Sequence, residues 1–202
     1  IVKSYKNIKE FDEIISDKRI DSFLIGPGLN INQYSINKIK SLFKTNKNIV
    51  VDAGAISNFK GKLNTLKKII YGKNVVITPH EGELRSILPN LKGNCIDKAL
   101  KAASELNCIV VLKGATTVIA SPDNKAIVNC AGAKWLATAG SGDVLAGIIC
   151  GTLSNKMDSF LASAFSVWMH SEIGNYLGPG LVAEDIPENI NLIYKKLLKT
   201  NI

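Results

Sequence analysis

The chain has 202 residues, 46% of them hydrophobic, which supplies one sizeable core and argues against two. Its formal charge of +8 comes from lysines scattered along the chain, a solvated surface suited to small anionic ligands rather than the basic block of a nucleic-acid binder. Residues 1–11 lack the apolar run of a signal peptide and no window reaches membrane-spanning length, so the expectation is a cytosolic, non-membrane protein.

In chain order, short runs rich in β-branched residues predict parallel strands at 23–25, 48–51, 75–78 and 109–112. Amphipathic stretches between them predict helices at 31–43, 81–88 and 96–106. After Lys113 the rhythm changes: residues 117–120 and 126–129 flank Ser121-Pro122-Asp123-Asn124, which reads as a hairpin turn. The expected fold is therefore α/β, with a mostly parallel sheet and an antiparallel hairpin at one side. Helices are predicted at 144–153, 158–177 and 184–198, and neither repeats nor a linker divide the chain, so 1–202 reads as one domain. Cys95, Cys108, Cys130 and Cys150 show no metal-ligand spacing and lie in or beside apolar runs, which predicts buried free thiols in a reducing compartment.

In open parallel sheets, ligands collect beyond the carboxyl ends of the strands. Four segments fall there: Gly26-Pro27-Gly28, Asp52-Ala53-Gly54, Thr78-Pro79-His80 and Lys113-Gly114. A fifth, Thr138-Ala139-Gly140-Ser141-Gly142-Asp143-Val144-Leu145-Ala146-Gly147, is a glycine-rich turn opening into an apolar helix. Such a turn offers unpaired N–H donors and the positive helix end to an anion, and a phosphoryl group suits it. Asp143, on the first helical turn, can take the proton of a hydroxyl that attacks phosphorus; the plain alternative is a capped helix start. Asp52 reads either as a polar cleft residue or as the cap of the next element. His170, beside Trp168 and Met169 on an apolar stretch, reads as a packed, hydrogen-bonded histidine.

The string from Ala137 to Gly147 resembles the anion hole and catalytic base of ribokinase-like kinases, in the version found in ADP/ATP-dependent NAD(P)H-hydrate dehydratases. Ile25-Gly26-Pro27-Gly28-Leu29, Ile77-Thr78-Pro79-His80-Glu81-Gly82-Glu83-Leu84, residues 111–120 and Gly180-Leu181-Val182-Ala183-Glu184-Asp185-Ile186 agree with that family in order and spacing. The resemblance implies a ribokinase-like three-layer sandwich. It also implies an enzyme, a lyase that phosphorylates the ring hydroxyl of NADH-hydrate or NADPH-hydrate with ADP or ATP and eliminates phosphate. Asp143 is then the base, with Ala139, Gly140, Ser141 and Gly142 as the anion hole. Lys113, Gly114, Ala115, Thr116 and Thr117, with Gly142, meet the adenine nucleotide, while Gly28, His80 and Asp143 meet the hydrated cofactor. Glu83 becomes a candidate for Mg2+ reached through water, with a simple first-turn helix charge left open beside it. The implied partners are further copies of the chain in a homo-oligomer, and an epimerase domain or separate upstream polypeptide.

The chain departs from the family pattern at Asp52-Ala53-Gly54, where Asp-Ala-Asp is common, at Asn30 in place of glycine, and at Gly132-Ala133-Lys134-Trp135 in place of Gly-Asn-Pro. The family also carries a βαβ portion ahead of the point where Ile1 begins, so about three quarters of the usual domain is covered. The expectation is truncation at the N-terminus: a fragment, a split-gene product or a decaying copy with an exposed sheet edge. Two other readings stand beside it: a ribokinase-like kinase that stops at the phosphorylated alcohol, and a noncatalytic nucleotide-binding remnant.

Overall fold

The computed structural model describes residues 3–199; Ile1 and Val2, at the head of the stretch expected to lack a signal peptide, and residues 200–202 lie outside the described residues. Four strands, β1 (Ser22–Ile25), β2 (Asn48–Val51), β3 (Val75–Ile77) and β4 (Ile109–Leu112), run parallel. β5 (Thr117–Ala120) and β6 (Ala126–Asn129) add to β4 as an antiparallel hairpin, and the sheet order follows the chain order from β1 to β6. β3 and β4 are buried throughout, which is why they read as unbroken apolar runs rather than alternating ones.

Side-chain alternation along each strand divides the core into two layers. Ile49, Val51, Val75, Ile77, Val110 and Leu112 face one way. They meet α2 (Gln33–Leu42), α3 (Ala53–Ser57), α4 (Leu63–Ile70), α5 (Glu81–Ile87) and α6 (Cys95–Leu106). Val50, Val76, Val111 and Ile119 face the other way, onto α7 (Ser141–Leu153) and α8 (Ser159–Leu177). The result is the expected three-layer sandwich, in which all crossovers between parallel strands lie on one face and the C-terminal helices cover the other. An additional N-terminal helix (Ile8–Ile15) starts at Asn7, whose side chain accepts from the Glu10 N–H while Glu10 accepts from Asn7 in return. It and the short helices α3 and α4 are additions to the predicted elements.

Two expectations need correction. The single helix over 184–198 is two helices, Asp185–Glu188 and Ile190–Lys199, because the Asn189 side-chain amide donates to the Asp185 carbonyl at 2.7 Å while its N–H turns to that of Ile186, diverting the backbone between them. The four cysteines are free, but only Cys108 is buried; Cys95 and Cys150 are half-buried and Cys130 is exposed, since it stands just past β6, the outermost strand of the sheet. Among the described residues, no helix is long and apolar enough to cross a membrane.

Candidate active site

The loops leaving β1 and β2 are clasped together. A Cβ on Gly26 would lie 1.8 Å from the Asp52 carbonyl oxygen, and one on Gly54 would lie 2.1 Å from that of Leu29, so neither loop admits a side chain there. The Asp52 N–H donates to the Ile25 carbonyl at 3.1 Å and the Leu29 N–H to that of Gly26 at 2.9 Å. Gly28 differs: it is exposed, its φ is +69°, and nothing lies within 4 Å of where a Cβ would stand. Its glycine therefore serves backbone conformation and leaves open space, whereas that of Gly26 serves packing.

Asp52 joins the two alternatives its position suggested. It occupies the cap position of α3 without making a side-chain cap bond; its carboxylate is fully buried, with Oδ1 2.7 Å from Lys113 Nζ. Lys113 follows β4 and continues the pairing beyond the strand, opposite His80 and with its N–H donating to the Pro79 carbonyl at 2.8 Å. His80 caps α5: its Nδ1 accepts from the N–H groups of Gly82 at 2.9 Å and Glu83 at 3.2 Å, which assigns the ring proton to the exposed Nε2. Glu83 returns the bond, its Oε2 accepting from the His80 N–H at 2.8 Å. That carboxylate is thus engaged in the helix start, the alternative left open for it, and Glu81 is drawn away to Lys98 at 2.7 Å.

The glycine-rich turn reaches α7 through Gly140, whose φ of +83° only glycine adopts readily, and no side chain caps the helix. The N–H groups of Gly142 and Asp143 stand in the first turn, where a helix has no internal carbonyl to offer them. Ser141 is buried: its Oγ and its carbonyl oxygen both lie 3.1 Å from His170 Nε2, and its N–H donates to the Thr138 carbonyl at 3.4 Å, so its hydroxyl is turned inward. Burial pushes the His170 imidazole down to about 4, only partly offset by its bond to the Ser141 carbonyl. The expectation of a packed, hydrogen-bonded histidine matches this arrangement. Asp143 is exposed and takes part in no side-chain hydrogen bond or ion pair among the described residues.

Close contacts link these segments. A Cβ on Gly142 would lie 3.2 Å from Lys113 Nζ, one on Gly140 3.1 Å from Ala183 in the 180–186 segment, and one on Gly132 2.7 Å from the Ala115 carbonyl. Gly114, Ala115 and Thr116 are exposed, with Thr117 Oγ1 donating to the Gly114 carbonyl at 3.2 Å. Sequence reasoning missed three parts: the Asp52–Lys113 pair, the seat of Ala115 on Gly132, and the grip of His170 on Ser141. Opposite charges after two apolar strands were the only signal for the first. A cavity of about 690 Å³ lined by Leu63, Leu88 and Leu100 lies among α4 to α6 and contains none of these residues.

Comparison with known proteins places this arrangement. Residues 1–189 match the family described as NAD(P)H-hydrate dehydratase. The bifunctional NAD(P)H-hydrate repair enzyme of Moorella thermoacetica is 34% identical over 163 residues, 77% of this chain but only 30% of that protein. A crystal structure of the ADP/ATP-dependent NAD(P)H-hydrate dehydratase of Bacillus subtilis, co-crystallised with ATP/Mg2+, superposes with a TM-score of 0.77 at 26% identity, covering 92% of this chain and 69% of that one. A ribokinase-like superfamily protein of Enterococcus faecalis gives a TM-score of 0.76 at 24% identity over 94% of this chain and 67% of its own, which identifies the fold as ribokinase-like.

Proposed function

Because the chain belongs to the NAD(P)H-hydrate dehydratase family, we propose that it converts NADH-hydrate or NADPH-hydrate to NADH or NADPH with ADP or ATP as phosphoryl donor. The observation that carries the proposal is Asp143, exposed on the first turn of an uncapped helix whose approach runs through Gly140 in the left-handed region. The ring hydroxyl oxygen attacks the terminal phosphorus while its proton passes to the Asp143 carboxylate. The new oxygen–phosphorus bond replaces that to the bridging oxygen, releasing AMP from ADP or ADP from ATP. Loss of phosphate together with a proton from the neighbouring ring carbon then restores the double bond; phosphate is a far better leaving group than hydroxide.

In this reading, the backbone of Ala139, Gly140, Ser141 and Gly142 receives the developing charge. Lys113 to Thr117 with Gly142 hold the nucleotide, and Gly28 and the outward Nε2–H of His80 meet the hydrated ring. Among the described residues, no group of three His, Cys, Asp or Glu side chains could cage a metal. That suits Mg2+ carried on the nucleotide phosphates, which keeps most of its waters, with Glu83 reaching it only through water. When bound, the ion neutralises phosphate charge. The single ribokinase-like domain would act as a homo-oligomer in the cytosol, a reducing compartment in which its four free thiols would persist. The bifunctional Moorella relative supports an epimerase partner, fused or separate.

Incubation with hydrated NADH and ADP tests the proposal: NADH and AMP are expected to form in equal amounts. AMP with an accumulating phosphorylated alcohol would make the protein a kinase that stops early, and ADP binding without AMP would reduce it to a nucleotide-binding remnant.

A further inference from the structure

Asp52 and Lys113 follow strands that are not neighbours, β2 and β4, with β3 between them. Their pairing therefore arches over the end of β3 and fixes the lysine side chain across the sheet edge. Asp52 is fully buried, and only 18% of the Lys113 side chain is exposed. The other carboxylate oxygen, Oδ2, is buried without a hydrogen-bond partner among the described residues. A half-satisfied buried carboxylate is costly, and a fold that retains one does so against its own stability. The backbone that carries it is fixed: Gly26 packs so closely on the Asp52 carbonyl that no side chain fits between the two loops.

Lys113 Nζ also lies against Gly142, 3.2 Å from where a Cβ would be, and that residue immediately precedes Asp143. The ammonium spends one of its three donors on Asp52, leaving two for an anion at the start of α7. A lysine free to follow a nucleotide phosphate would be exposed and would lose rotamer freedom on binding; this one has lost it already.

We infer that Asp52 is a positioning residue for phosphoryl transfer: it holds the Lys113 ammonium beside Gly142, so that a fixed positive charge faces the phosphoryl group at the α7 start. The inference rests on the reading of that turn as the phosphoryl site. Binding of ADP and of adenosine, which lacks phosphates, separates it from the dehydratase activity itself. Asp52→Asn is expected to weaken ADP binding by about tenfold while adenosine binding stays within about twofold. In the turnover assay the same variant is expected to lower kcat more than it raises the KM for hydrated NADH.

Because Asp52→Asn leaves a lysine buried beside a neutral group, the double variant Asp52→Asn/Lys113→Met is measured in parallel. Removal of both charges is expected to restore thermal stability, yet the preference for ADP over adenosine should stay low. Wild-type preference and kcat in the double variant would mean that the pair is structural only, and the inference would fall. A wild-type chain that makes no NADH but loses ADP preference on Asp52→Asn would overturn the dehydratase reading and leave the positioning role standing. If the wild-type chain shows no preference for ADP over adenosine, both fall together.

Discussion

The floor and the mouth of the site use the same residue types for opposite ends. In the floor, Gly26 and Gly54 interlock the loops after β1 and β2 at distances no side chain could enter, and Asp52 is sealed beneath them. At the mouth, Gly28 faces open space, Gly140 is left-handed and exposed, and Asp143 stands in solvent on an uncapped helix. Glycine in the floor excludes substitution by packing, whereas glycine at the mouth sets backbone direction and clears a path. Mutations should therefore part cleanly into those that unfold the protein and those that silence it.

The largest effect is expected at Asp143. Asp143→Asn should lower turnover of hydrated NADH by roughly 10²–10⁴-fold, the range for loss of a general base, and leave thermal unfolding nearly unchanged, because the side chain is exposed. Loss of stability comparable to the loss of rate would instead make it a structural cap. In the floor, Gly26→Ala should cost about 3 kcal/mol or more in urea unfolding, since its Cβ would collide with the Asp52 carbonyl. Equal costs for Gly26→Ala and Gly28→Ala would erase the distinction, because Gly28→Ala should cost only the left-handed strain of about 1 kcal/mol.

Between floor and mouth, the buried His170 adds a pH dependence. Its folded pKa, at about 4, is below the unfolded value, so as pH falls from about 6.5 the unfolded chain takes up the proton first. Stability is fully present above that window and is lost as pH drops toward 4, by about 3 kcal/mol at most. Urea unfolding across this range should show a shallower slope for His170→Gln than for the wild type. An unchanged slope would assign the loss to carboxylates instead.

Most of the architecture was legible because its signals are local. β2, β4, β5 and β6 occupy the predicted residues, and short runs rich in β-branched residues mark them whatever they pair with. The short helices α3 and α4 were not legible. Ala53 enters α3 at a φ of +43°, a strained conformation that propensity opposes and only the clasp with Gly26 explains. Cys130 misled for a related reason: its apolar neighbours belong to an edge strand, and edge position is a property of the assembled sheet.

By itself, the chain of residues determined the α/β alternation, the hairpin, the glycine-rich turn before Asp143 and the family to which they belong, since each depends on residues a few positions apart. Tertiary structure alone decided that Asp52 would meet Lys113 across β3, that Ser141 would turn inward to His170, and that Gly26 would pack while Gly28 stayed open. Those contacts join positions 26 to 61 residues apart, or oppose two glycines that flank the same proline, and only the order and spacing of the strands bring such groups together.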